Sequence, residues 1–77
     1  MRYAVEAFDK KTELLVYTRD IPRGSERQLV KIMNWLAPQE GWEGYSLTAD
    51  QIAEIASIIG EELDIFLYDF QLSVNID

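Results

Sequence analysis

From residue 64 onward, large apolar side chains return at every second position: Phe66, Tyr68, Phe70, Leu72 and Val74. The intervening residues open apolar with Ile65 and Leu67, then turn polar through Asp69, Gln71, Ser73 and Asn75. A period of two describes a strand whose one face is buried and whose other face is wet. Residues 64–75 therefore predict a strand that needs neighbours beside it and a cover over its apolar face. The chain has 77 residues for this. That length supports one domain, spanning residues 1–77, and buries only about 60% of the surface an unfolded chain of this size exposes.

The rest of the chain supplies the neighbours and the cover. Residues 2–9 alternate loosely, with Tyr3, Val5 and Ala7 on one side and Ala4, Glu6 and Phe8 on the other. After the polar turn Asp9-Lys10-Lys11-Thr12, the run Leu14, Leu15, Val16 and Tyr17 predicts a second strand over residues 13–18, although the Asn-Gly or Asp-Gly hairpin signal is missing. Ser25 is placed to cap a first helix, with Gln28 at the capping-box position. Leu29, Ile32, Met33 and Leu36 form its apolar face, Arg27, Lys31 and Asn34 lie opposite, Trp35 sits on the flank, and Pro38 ends it. Residues 37–46 read as the one substantial loop. Thr48 and Gln51 form a second capping box, Ile52, Ile55, Ala56 and Ile59 a buried stripe, and Gly60 a helix end. The expected architecture is α+β: a three-stranded antiparallel sheet in the order β-β-α-α-β along the chain, the last strand beside the first, and two helices packed on one face. A sheet this thin leaves an edge open for pairing with another chain.

Composition narrows the chemistry. The chain has no cysteine, so disulfides, thiolate nucleophiles and zinc–thiolate sites are excluded, and no histidine, which excludes Ser-His-Asp and Cys-His catalysis. With 48% apolar and 27% charged residues it is globular rather than disordered. No apolar run approaches the roughly 20 residues of a membrane-spanning helix. An acid, Glu6, inside the first apolar stretch argues against a signal peptide, so a cytoplasmic protein is expected.

The charge is unevenly distributed. All seven bases lie in the first 31 residues, which also hold five acids, a balance of 7 − 5 = +2. Residues 32–77 hold nine acids and no base, a balance of −9. Such a field repels nucleic acid and attracts basic surfaces. Acidity by itself also serves solubility and nothing more.

Three groups of residues are candidates for a site. The acidic loop carries Trp42, framed by Gly41 and Gly44, and then Tyr45, with Glu40 and Glu43 beside them; aromatics of this kind anchor interfaces, and they also cap small cores. Trp42 suits the outer role and Tyr45 the inner. Asp50, Glu54 and Glu61, with Ser57, fall on the helix face opposite the isoleucines, where carboxylates either meet a basic partner or are simply solvated. Glu61, Glu62 and Asp64 lack the spacing of a calcium loop, and neighbouring acids on a turn are ordinarily hydrated. No cofactor or metal is expected. A small enzyme using only carboxylates is the remaining catalytic option.

The opening run from Met1 to Lys10, containing Glu6-Ala7-Phe8-Asp9-Lys10-Lys11-Thr12, is followed by Glu13-Leu14-Leu15-Val16. Together with the ending Glu62-Leu63-Asp64 and Tyr68-Asp69-Phe70, it resembles a family of small acidic bacterial proteins with an opening hairpin, two helices and a closing Tyr-Asp-aromatic strand. The likeness covers about two-thirds of the chain; the middle, residues 37–47, is where such proteins differ most. Members resemble the immunity proteins of polymorphic toxin systems, including contact-dependent growth inhibition. The resemblance implies a cytoplasmic protein that is not an enzyme and that binds and neutralises its cognate toxin domain, commonly a nuclease with a basic surface. Charge and loop then suggest stoichiometric occlusion, with Trp42 and Tyr45 packing into the toxin while Glu40, Glu43, Asp50, Glu54 and Glu61 meet its Lys and Arg. An adaptor that binds by strand-edge pairing is the alternative. Trp35 and residues 66–74 are equally compatible with a homodimer.

Overall fold

A computed structural model describes residues 2–35 and 44–75. In chain order it has β1 (Arg2–Asp9), β2 (Leu15–Asp20), α1 (Glu26–Met33), β3 (Gly44–Ser46), α2 (Ala49–Ile59) and β4 (Tyr68–Asn75). The strands form one antiparallel sheet in the order β2-β1-β4-β3. As expected, the last strand lies beside the first, and their register runs without interruption from Arg2 opposite Asn75 to Asp9 opposite Tyr68. None of the helices among the described residues is long and apolar enough to cross a membrane.

The sheet has four strands, not the expected three. Gly44, Tyr45 and Ser46, assigned from sequence to a loop, pair with Ser73, Leu72 and Gln71 of β4. Three residues are too few to show a period, and Gly44 within them and Gly41 before them read as loop signals. The closing strand is also shorter than expected. It begins at Tyr68, and residues 64–67 form a turn in which Phe66 is exposed instead of sharing the buried face.

The core follows from the pairing. Residues directly opposite in a ladder point to the same face. Val5 therefore joins Leu72, and Ala7 joins Phe70, on the side covered by Leu29 of α1 and Ile52 and Ile55 of α2. Both helices thus pack on one face, and Ile32, Met33, Trp35, Tyr45 and Ile59 close its margins. The opposite face carries Glu6, Thr18, Asp20, Gln71 and Ser73, with the small side chain of Ala4 buried among them.

Local chemistry sets where the elements start and stop. Thr48 Oγ1 accepts from Gln51 N at 3.2 Å while Gln51 Oε1 accepts from Thr48 N at 2.9 Å, completing the capping box of α2. Ser25 makes no such bond: its ψ of 4° takes it out of the extended geometry that aims a cap oxygen at the first turn. Helix α1 stops at Met33, earlier than Pro38 would require, because Asn34 turns left-handed and Trp35 N donates back to Val30 O at 3.1 Å. Leu36 and Pro38 lie outside the described residues. Gly60 ends α2 the same way, at φ 70°.

The hairpin between β1 and β2 replaces the missing Asn-Gly with an aspartate. Asp9 Oδ1 accepts from Lys11 N at 2.8 Å and Thr12 N at 2.9 Å, and Glu13 takes the left-handed conformation at φ 63°. The two backbone bonds, Thr12 first, hold the Asp9 carboxyl below its ordinary value of 3.8. A carboxylate lowered in the folded state adds stability that is complete above its unfolded pKa and is lost as pH falls through its folded one. We expect the wild-type chain to lose stability more steeply with acid than Asp9→Asn once the pH drops below 3.8. Urea unfolding at neutral and strongly acidic pH measures this; equal losses in the two proteins would show that Asp9 does not titrate in the turn.

Candidate functional site

The structure places the four described candidate residues in different surroundings. Asp50 and Glu54 are one turn apart on α2, four residues being just over a helical turn, and both are exposed. Glu54 borders a shallow groove between the helices, facing Gln28 and Lys31 of α1 across it. The acidic face of α2 therefore ends at a cation supplied by the basic half of the chain.

Glu61 lies just past Gly60 and is not an isolated charge. Both of its carboxylate oxygens accept from Arg19 Nε of β2, at 3.0 and 3.1 Å. The pair is solvent-exposed, and such pairs contribute under about 1 kcal/mol. Its importance is positional. Arg19 CZ lies 4.6 Å from the centroid of the Tyr17 ring, and Tyr17 meets Tyr68 edge-on at 5.4 Å. Glu61, Arg19, Tyr17 and Tyr68 thus tie the edge strand β2 to the end of α2 and the start of β4.

Tyr45 takes the inner role. It sits opposite Leu72 on β3, half-buried, with its ring 5.3 Å from that of Trp35, which is in turn 6.0 Å from Tyr3. This row of three rings spans from α1 across the sheet. Trp35 therefore packs against the core beside β3. Glu40, Trp42 and Glu43 lie outside the described residues.

Among the described residues, the most exposed large apolar side chains are not sequence candidates. Phe66 is 85% exposed, and Ile65 and Leu67 beside it are exposed too. At the far end of the β1–β2 hairpin Leu14, Leu15 and Val16 are exposed as well. A signal for the first group was present: Ile65-Phe66-Leu67-Tyr68 is four apolar residues in a row, and a sheet covered on one face can bury only alternate ones. The second signal was Leu14-Leu15-Val16, for the same reason.

Two acids considered for cation binding are engaged otherwise. Glu61 faces Arg19, and Asp64 Oδ1 accepts from the backbone N–H groups of Phe66 and Leu67. The groups these residues present to solvent are carboxylates and exposed aliphatic and aromatic side chains.

Burial pushes the Tyr17 hydroxyl above its ordinary range, Glu61 and Tyr68 push it further, and Arg19 opposes them. Replacing Glu61 with Gln should lower the pKa of Tyr17, and replacing Arg19 with Ala should raise it. Ultraviolet titration of tyrosinate against a Tyr17→Phe reference reads this shift. No change in either variant would mean that the Arg19–Glu61 contact is not maintained in solution.

Comparison with curated proteins gives no match. A family model described as "Domain of unknown function (DUF7683)" matches residues 2–73, from the first strand almost to the end of the last. The chain belongs to the DUF7683 family.

Proposed function

We propose that this chain is an immunity protein, a non-enzymatic cytoplasmic inhibitor that binds a cognate bacterial toxin domain and blocks it by stoichiometric occlusion. The observation that carries the reading is the charge partition: nine acids and no base over residues 32–77. In the fold, Asp50, Glu54 and Glu62 stand exposed on α2 and the segment after it. A toxin that acts on nucleic acid must present lysines and arginines to phosphate, and a carboxylate surface competes for those same groups. Complementary fields of this kind raise association rates and reject partners of the wrong sign. Both chain ends resemble those of small acidic bacterial proteins whose members are similar to immunity proteins, which favours the same reading.

Neutralising Asp50 and Glu54, as Asp50→Asn and Glu54→Gln, together with Glu43→Gln, should slow association with the toxin domain several-fold at low salt. It should also flatten the salt dependence of the rate while leaving the melting temperature unchanged. Stopped-flow binding at two ionic strengths decides it. Unchanged association at low salt would overturn the acidic surface as the recognition element.

The open edge of β2 favours a second reading, an adaptor that adds a partner's strand to its sheet. β2 is the outer strand, and Leu15 and Val16 on it are exposed. Ile21 N donates inward to Tyr3 O, so by alternation the N–H groups of Thr18 and Asp20 point outward. Proline at an edge position whose N–H faces solvent is tolerated by the fold. Thr18→Pro should therefore leave stability nearly intact and abolish binding only for the adaptor. An inhibitor that works through the acidic surface will bind the same partner within about twofold of wild type.

A further inference from the structure

Residues 64–67 join α2 to β4 and form a built turn. Asp64 Oδ1 accepts from Phe66 N at 2.9 Å and from Leu67 N at 3.2 Å, and Asp64 O accepts from Tyr68 N at 3.2 Å. One residue thus holds three of the next four backbone N–H groups. Tyr68, at the base of the turn, is fixed by its pairing with Asp9 and by the rings of Tyr17 and Phe70. On this platform Ile65, Phe66 and Leu67 project into solvent, Phe66 at 85% of its full exposure. The pairing of Asp9 with Tyr68, and the bond from Asp9 N to Leu14 O, bring the exposed Leu14 and Leu15 to the same end of the sheet.

An exposed phenylalanine in a slack loop is unremarkable, but one held in a fixed turn has already lost much of the freedom that docking removes. The electrostatics of the turn select what it docks into. Residues 61–69 contain four acids and no base. Arg19 meets Glu61, and Lys10 Nζ meets Asp69 at 2.7 Å, so the two outer acids are neutralised. Glu62 and Asp64 remain, immediately before the apolar run.

We propose that the Ile65-Phe66-Leu67 turn is an interface anchor that inserts into an apolar pocket on a protein partner whose rim carries lysine or arginine. The proposal rests on the inhibitor reading only for the partner's identity as a toxin. A second copy of this chain is a poorer occupant, because a two-fold contact would set Glu62 and Asp64 of each copy against the same acids of the other. An anionic bilayer is disfavoured by the same charges.

The test places a photo-crosslinking phenylalanine analogue at position 66 of the full chain in its native cells, maps the adduct, and titrates the purified partner so identified. The expected result is one heterologous adduct, with its attachment point in an apolar site flanked by lysine or arginine. Phe66→Ala should then bind that partner about 30-fold more weakly, as loss of a central aromatic anchor does, with an unchanged melting temperature. Asp64→Asn keeps an oxygen to cap the turn and removes the charge, so it should slow association at low salt and match wild type at high salt. No adduct, an adduct to a second copy or to lipid, or Phe66→Ala binding within about twofold of wild type would each overturn the anchor. A partner that is not a toxin, but carries the basic-rimmed pocket, would uphold the anchor and remove the immunity reading. A toxin domain still fully neutralised by Phe66→Ala would do the reverse.

Discussion

The pairing of β1 with β4 is the contact on which the rest of the molecule depends. Eight consecutive residue pairs join the first strand to the last, across almost the whole length of the chain. This ladder puts Val5, Ala7, Phe70, Leu72 and Val74 on one surface, and the two helices cover it. With no cysteine to form a disulfide, that burial is the main source of cohesion. The closure entropy of so long a loop grows only slowly with its length, so the arrangement is thermodynamically cheap, although contacts this far apart in sequence form slowly.

Because the chain ends occupy the middle of the sheet, its edges fall to β2 and to the three-residue β3. Each edge is tied down by side chains. Tyr45 of β3 is held in the row of rings with Trp35 and Tyr3, and Arg19 of β2 reaches Glu61 beyond α2. The turn at residues 64–67 then has a defined place, since α2 must end, cross and enter the central strand within eight residues. The features that point outward, the carboxylates of α2 and the Phe66 turn, are consequences of this layout. They sit on elements whose inner sides are already committed to the core.

The parts of the fold legible in the sequence were those with a period. The alternation over Phe70, Leu72 and Val74 and the isoleucine stripe of α2 gave the correct buried faces, and the Thr48–Gln51 box and Gly60 gave both ends of that helix. What could not be read lacked a period or depended on a distant partner. β3 is too short to show alternation, and it is a strand only because β4 lies alongside. Ser25 has the right residue type, yet its backbone conformation takes it out of the capping role. The closing strand is expected to start too early because Phe66 keeps the alternation before the strand itself begins, and the hydrogen bonds of Asp64 account for that break. For the site, the charge partition was plain from sequence, but the capture of Glu61 by Arg19 spans 42 residues and no local pattern announces it.

The proposed immunity role requires this chain to occupy its partner rather than to turn over a substrate. Its most direct test is a titration of the purified toxin domain's activity with increasing amounts of this chain, at protein concentrations well above the dissociation constant. Occlusion gives a straight fall to zero activity with a break at one equivalent, unchanged by longer incubation. Progressive loss of toxin activity at far less than one equivalent would identify a catalyst, and full activity in excess of the chain would contradict the inhibitor account altogether.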